Sequence, residues 1–299
     1  LIEGAPRIVD GEDIGRVFLS ELGGSAWTVE TDGKSEIIHV QAVASAQTAV
    51  GHLHLVLKHD VAVVLHLSGQ SEWAGLHITG SVGANVRAGF GLVNELSSKG
   101  KLLHCEDWTI GRDATLELAG LSIGGSRCKS DVRSRLTASG GALAQAISVH
   151  GSGQRHVDHH IEIHHDVHHT DSSLNIHAAC DDRSHSIATG LLTIKEDANH
   201  CDASQVFKNL LLSERARAEA IPELEVLADE VSAAHGAASA PVDQDQLHYL
   251  MSRGLGDDTA VALLIEGFMQ SGFSGLENKG LVDEIRNRLA MHLERELEG

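Results

Sequence analysis

From Trp27 to about His235 the chain runs as short alternating segments broken by Gly, Ser, Asp and Asn, with almost no helical periodicity. Ile37-Ile38-His39-Val40, His52-Leu53-His54-Leu55-Val56-Leu57, Leu76-His77-Ile78 and Thr115-Leu116-Glu117-Leu118 are examples. Gly51, Gly69, Gly80, Gly100, Gly111, Gly120 and Gly140 punctuate them. Strands so short and so numerous suit either a sandwich or a solenoid. Asp32-Gly33 apart, no Asn-Gly or Asp-Gly joins two matched runs in this stretch, so the tight hairpins of antiparallel sheets lack their usual signature. Parallel stacking needs no hairpins, and the solenoid is the favoured reading.

The chain has 299 residues, enough at roughly 150 per domain for one large or two modest domains with ample core. Gly (31) and His (21) are abundant, whereas Phe (5), Trp (3) and Tyr (1) are scarce. Few aromatic rings argue against sugar-binding clefts and base-stacking platforms, and for a core of small aliphatic layers. A formal net charge of −19 repels phosphate backbones and anionic membranes alike, so neither nucleic acid nor a membrane is an expected partner. Apolar runs such as Val61 to Leu65 fall far short of the roughly 20 residues that cross a bilayer. A soluble, cytoplasmic protein is expected, although a chain opening at Leu1 rather than Met leaves targeting unread. Cys105, Cys128, Cys180 and Cys201 form no CxxC pair, so reduced thiols are expected rather than a disulfide framework or zinc ribbon.

After Pro241 the pattern turns helical. Asp243 and Gln246 have capping-box-like spacing, Leu247, Leu250 and Met251 share a face, and Gly254 is placed as a stop. A second helix carries Val261, Leu264, Ile265 and Phe268 behind a cap at Asp257 or Asp258, and a third runs from Leu281 through Ile285 and Leu289 to Leu293. The expected division is therefore an N-terminal segment, 1–25, with a short helix at Gly11 to Leu22; a β core, 26–240; and a helical domain, 241–299. The helices are expected to pack on one another and on the end of the β region.

The chemistry-bearing residues are few. Arg155 to His169 holds a run of histidines in which Val157, Ile161, Ile163 and Val167, with His159 and His165, take one strand face. His156, Asp158, His160, Glu162, His164, Asp166 and His168 take the other, which reads as a solvated face or an adventitious divalent-metal binder. His200 and Cys201, with Asp197 and Asp202, place N, S and O donors close in sequence, and His104-Cys105 repeats the ambiguity. No Walker-type loop, no GxGxxG after a strand and no nucleophile elbow occurs, so nucleotide hydrolysis, dinucleotide binding and triad hydrolysis all lack a motif. A His-rich divalent-metal-binding protein and, more weakly, a β-helix carbohydrate-active enzyme are the alternatives from other function classes.

The stretch Cys201-Asp202-Ala203-Ser204-Gln205-Val206-Phe207-Lys208-Asn209, then Ile221-Pro222-Glu223-Leu224-Glu225-Val226, His235-Gly236-Ala237 and Asp245-Gln246-Leu247-His248-Tyr249-Leu250-Met251-Ser252-Arg253-Gly254 resembles the C-terminal core of the SufB/SufD family, scaffolds of the SUF iron–sulfur cluster assembly machinery. Leu264-Ile265-Glu266-Gly267-Phe268 continues the match, as do Asp158-His159-His160, Thr170, Arg183-Ser184 and Gly190 upstream; the likeness covers Gln154 to Gly299. It implies a right-handed parallel β-helix with a C-terminal α-helical domain, and a scaffold rather than an enzyme. It also implies docking of a SufC-like ABC ATPase on the helical domain, through Tyr249, Leu250, Arg253, Gly254, Leu264, Gly267 and Phe268. Pairing through the β-helix with a SufB-like paralogue, or with itself as a dimer, is implied too.

Within the family the motifs are more similar to SufD. His235, in Ala234-His235-Gly236-Ala237, resembles the SufD position implicated in cluster assembly, and the preceding Asp229-Glu230 could orient its imidazole. The SufB-like cysteine falls at Phe207, and the cysteine near the SufD histidine is Ala233 here. The resemblance therefore implies a transient cluster shared with a paralogue and none tightly bound by this chain alone. His235 leads as candidate, with Cys201 and His200 behind it.

Overall fold

The computed structural model describes residues 2–5 and 13–298. Its elements begin with β1 (Ile2–Ala5), α1 (Ile14–Gly23), β2 (Ala26–Glu30), β3 (Ile37–Ala44), β4 (Thr48–Leu57), β5 (Val61–Gly69), β6 (Trp73–Val82) and β7 (Arg87–Leu96). There follow β8 (Lys101–Ile110), β9 (Thr115–Ser122), β10 (Arg127–Leu136), β11 (Ala142–Gly151), β12 (His156–His165) and β13 (Asp171–Cys180). The chain ends with β14 (His185–Ile194), β15 (Asp202–Leu211), β16 (Arg217–Val226), β17 (Ser232–Pro241), α2 (Gln244–Ser252), α3 (Asp257–Ser271) and α4 (Lys279–Glu298). The start of the expected first helix at Gly11 lies outside the described residues.

Alternate strands go to alternate sheets. The first sheet runs β1-β2-β4-β6-β8-β10-β12-β14-β16 and the second β17-β15-β13-β11-β9-β7-β5-β3. Every pairing between successive coils is parallel and in step, and only the short β1–β2 contact is antiparallel. The chain is thus a β-solenoid of about 8 turns followed by helices. Stepwise register stacks like on like: Gly80, Trp108, Ser134, Ile163 and Leu192 form one inward column. The aliphatic core predicted from the scarcity of rings is present, with Leu, Val, Ile and Ala dominating and Phe90, Trp108, Phe207 and Phe273 as the fully buried aromatic rings among the described residues.

Coil stacking also repeats the turns. Asn85, Asp113, Gly140, His169 and His200 all have φ between 53° and 75°, and each amide up this column donates to the next coil: Asp113 N–H to Ser139, Gly140 to His169, His169 to Asn199 and His200 to Glu230. Asn, Asp and Gly are the residues that tolerate this left-handed conformation, which is why they punctuate the sequence. His169 and His200 hold the same conformation without being turn formers.

Both sheets carry helices on their outer faces. Helix α1 lies on β4, β6 and β8, inserting Leu19 and the fully buried Arg16. Arg16 donates to both Asp107 oxygens at 2.8 and 2.9 Å, to Asp131 at 2.8 Å and to the Glu106 carbonyl at 3.0 Å, while Asp13 caps the helix and receives Arg133 at 2.7 Å. Removing the cation strands carboxylates around a dry seat. Arg16→Ala should therefore cost about 3 kcal/mol, and limited proteolysis should cut the segment before Ala26 first. Unchanged stability would mean that the carboxylates rehydrate without loss.

The C-terminal helices overturn one expectation. They do not close the end of the solenoid but fold back along the outside of its second sheet. Leu281, Ile285, Leu289 and Leu293, spaced one helical turn apart, join Ala62, Val64, Val93, Ala119 and Leu121 in one apolar cluster. Gly91 makes the approach possible, because a Cβ there would lie 2.6 Å from the Leu281 side chain. Helix α3 adds Ile265, Met269 and Phe273, and the His177 ring and Ser148 hydroxyl donate to the Phe268 and Met269 carbonyls at 2.9 and 2.8 Å. Asp243 caps α2 and Gly254, at φ 95°, follows its end, as the spacing predicts. Helix α3 instead starts behind Gly256 with no side-chain cap; Asp257 and Asp258 sit in its first turn, where they favour the helix dipole.

Candidate functional site

The last coil is the open end of the solenoid. Strands β16 and β17 each terminate a sheet, and most of their residues are exposed or half-exposed, whereas β12 to β15 bury every second residue. An edge of this kind presents unpaired backbone donors and acceptors to any further strand. Pro222, within β16, removes one such donor.

His235 belongs to this edge. It is in register with Gln205, and through it with Leu174 and Gln145, all buried inward-facing residues. His235 alone of that column is exposed, because β17 ends its sheet among the described residues. The Gln205 amide donates to the Glu223 carbonyl at 2.8 Å, yet its Oε1 is buried without a partner one strand below His235. Phe207, where the resemblance places a SufB-like cysteine, is fully buried core beside Gly190, and Ala233 lies two residues before His235 on the same face.

Cys201 and His200 are consecutive, but their side chains point to different surroundings. The left-handed turn at His200 sends its ring outward, toward Glu230 Oε2 at 3.5 Å and the His169 ring at 4.8 Å. Cys201 turns into a small apolar pocket with Leu192, Ile194, Ala198 and Ala203, its Sγ 3.1 Å from the Thr170 hydroxyl. Glu230, expected near His235, serves His200 instead. The Ser232 amide donates to the Cys201 carbonyl and Gln205 pairs with His235, so the thiol and the imidazole are separated by four residues of strand, about 13 Å. All four cysteines are free and buried, and burial pushes the Cys105 thiol up to about 12 and the Cys180 thiol up to about 11. No exposed thiol therefore accompanies His235 among the described residues. The edge can offer one imidazole, as a ligand or a proton relay, and an incomplete coordination shell.

The His-rich strand resolves into a structured charged face. Val157, His159, Ile161, Ile163 and His165 point inward as the period of two predicts, while Asp166 to His168 fall in the following turn. On the outer face the Glu162 carboxylate accepts from His160 and His164 at 3.0 and 3.1 Å and lies 3.3 Å from Arg133. The two imidazoles and Arg133 hold that carboxylate well below its usual range, and the Glu162 bond raises the His160 pKa. This face is paired to its own neighbours rather than poised for an ion.

The candidate docking residues gather on α2 and α3. No residue of α2 is buried, and Tyr249, Met251 and Leu263 stand out as exposed large apolar side chains. The Arg253 guanidinium lies 5.1 Å over the Tyr249 ring. Leu250, Leu264 and Phe268 are half-buried, the last stacked on His177, and Gly254 and Gly267 are exposed. The sequence did not single out Met251 and Leu263 for this surface, because an apolar residue at helical spacing reads equally well as core.

Residues 39–268 match the family model of the SUF system FeS cluster assembly SufBD core domain. An iron–sulfur cluster assembly SufBD family protein of Mycobacterium tuberculosis is 26% identical over 315 residues, covering 99% of this chain and 78% of that protein. Iron–sulfur cluster assembly protein SufD of Bacillus subtilis is 35% identical over 121 residues, 40% of this chain and 27% of the relative. SufD of Escherichia coli is 30% identical over 112 residues, 38% of this chain and 26% of the relative. With the family model covering 39–268 on a parallel β-solenoid carrying C-terminal helices, the chain belongs to the SufBD core family of the SUF iron–sulfur cluster assembly system.

Proposed function

We propose that this chain is a SufD-like scaffold subunit, not an enzyme, of a cytoplasmic iron–sulfur cluster assembly complex. The open β16–β17 edge receives a SufB-like paralogue or a second copy of the chain, and the α2–α3 surface docks a SufC-like ABC ATPase. The single observation that carries the reading is the last coil itself: two uncovered edge strands, with His235 on β17 where the inward column meets solvent. An iron–sulfur cluster is then cargo, built between two subunits from incomplete ligand sets and released to clients. The absence of a nucleotide loop in this sequence agrees with ATP turnover by a partner. The partner's closure would act on α2, which packs on α3, and on α3, which is seated on β11 and β13 of the solenoid.

Co-expression with the paralogue and the ATPase tests the reading. His235→Ala should leave subunit association intact, since one exposed ring adds little packing, while iron and sulfide in the purified complex fall at least tenfold. Tyr249→Asp with Leu263→Asp should remove the ATPase from the complex without unfolding the chain. Truncation after Pro241 is not a clean alternative, because it strips α3 and α4 from the apolar face of the second sheet. Unchanged iron in His235→Ala together with its loss in Cys201→Ser would shift the site to Cys201 and His200. ATPase retention by the double variant would refute the docking surface.

A further inference from the structure

We propose that His39 on β3, His66 on β5 and Glu284 on α4 form a binding site for one divalent transition-metal ion of the zinc class, pinning the last helix to the first coils. Each residue offers one ligand atom, and these atoms lie within 4.8 Å of one another. The two histidines are diagonal neighbours on the outer face of the second sheet: His39 pairs in register with Val64, two residues before His66. Their rings stack with centroids 6.3 Å apart and planes 22° from parallel. Helix α4 crosses above them and brings Glu284 Oε1 to 3.3 Å from His66 Nε2.

A second observation points to a ligand. His66 is 6% exposed; its Nδ1 has no hydrogen-bond partner, and Nε2, although 3.3 Å from Glu284 Oε1, is not aligned with it as a hydrogen bond. A neutral imidazole carries one donor and one acceptor, and proteins rarely bury both unmatched. A metal ion takes up the acceptor lone pair. Two imidazoles and one carboxylate form a donor set that holds Zn2+ with a position left open.

Ligand bonds of 2.0 to 2.2 Å imply donor atoms about 3.4 Å apart, so the cluster must contract when it closes on an ion. His39 is exposed and able to swing inward. Arg288 is the competing cation, with Nε 3.4 Å from Glu284 and Nη1 3.6 Å from Glu95; on metal binding it remains with Glu95. The site lies at the opposite end of the second sheet from β17 and His235, so this inference is independent of the cluster-assembly reading.

The test uses the tag-free full-length chain, titrated with Zn2+ by calorimetry and with Co2+ by visible absorption. One equivalent should bind with the ligand-field bands of a low-coordinate Co2+ site, and Zn2+ should raise the melting temperature. Removing a residue that only orients a metal ligand costs roughly 10- to 100-fold in metal affinity, so loss of a direct ligand in Glu284→Gln or His39→Ala should cost about 100-fold or more. Glu284→Gln keeps the shape of the helix face; should it fail to fold, the exposed His39→Ala carries the test. A control bearing His168→Ala, His169→Ala and His200→Ala should keep the tight site, because those rings belong to the exposed turn column. Absence of tight binding, binding that survives Glu284→Gln, or binding that disappears with the turn histidines would each overturn the proposal. Anaerobic competition in which Fe2+ displaces Zn2+ would overturn the choice of ion, since intrinsic affinity favours zinc.

Discussion

Between pH 7 and pH 5 the protein should lose most of its stability. His52, His150, His159 and His165 are buried, and burial moves their pKa values down to about 4, 3, 3 and 4 respectively. His150 Nδ1 also lies 2.9 Å from His292 Nε2, and burial with Arg155 nearby lowers that partner to about 4, so the pair stays neutral together. The unfolded chain takes up protons near 6.5 while the folded chain does not, so the unfolded state binds more protons throughout the window from about 6.5 down to about 4. Stability therefore falls as pH falls, by up to about 1.4 kcal/mol per pH unit for each group. Four groups reach about 8 kcal/mol at pH 5, comparable with the roughly 5–15 kcal/mol that holds a typical domain. His160 opposes this slightly: its raised pKa adds stability below about 6.5 that disappears as pH rises. The lowered Asp13 and Asp107 add stability present above about 4 and lost only as pH falls further, so they do not offset the loss at pH 5. Thermal melts followed by circular dichroism should drop by roughly 15 °C or more between pH 7 and pH 5. An unchanged melting temperature would show that these histidines protonate without unfolding.

Trp108→Ala should be the most damaging single core change, at about 4–5 kcal/mol. The ring is 1% exposed, tilted against Phe90 at 5.2 Å, and lies directly over Gly80, where an added Cβ would come within 2.1 Å of it. Coil below and coil above are thus fitted to one another, a glycine leaving the space that an indole fills. Its Nε1–H donates to Glu106 Oε2 at 2.6 Å, and the other Glu106 oxygen lies 2.9 Å from His104 Nε2. Deleting the ring opens a cavity and also leaves a buried carboxylate oxygen without its donor. Trp108→Phe separates the two effects: it retains much of the volume and should cost about 1–3 kcal/mol for the orphaned oxygen. Urea denaturation at pH 7.5 measures both changes. A loss below about 2 kcal/mol for Trp108→Ala would mean that the column collapses around Gly80.

The coil was legible because its information is local. Alternation assigned the faces of β12 through His165, while Gly100, Gly111 and Gly140 marked turns, and Asp243 with Gly254 marked the ends of α2; Gly51, Gly80 and Gly120, read as turn punctuation too, instead lie inside β4, β6 and β9. In a solenoid each coil meets only its neighbours, so a pattern repeated along the chain is nearly the whole of the fold. Missing hairpin turns weighed against antiparallel pairing between Trp27 and His235 for the same reason: a turn is decided by the few residues within it. The placement of His235 followed from a resemblance in its immediate motif. Its exposure followed from β17 being the last strand of that sheet among the described residues.

What the sequence determined by itself was therefore set by neighbours in the chain: strand faces, the turns at Gly100, Gly111 and Gly140, the ends of α2, the aliphatic core and the family motif. What only the tertiary structure decided joins residues far apart in sequence. Helix α4 returns from the last coil to the first ones and sets Glu284 beside His66. Arg16 finds Asp107 and Asp131 across two coils, and His200 and Cys201, consecutive in sequence, are turned to opposite sides. No spacing rule encodes these contacts, because burying one helix face against a flat, glycine-lined sheet depends on the summed shape of several coils, which no local window contains.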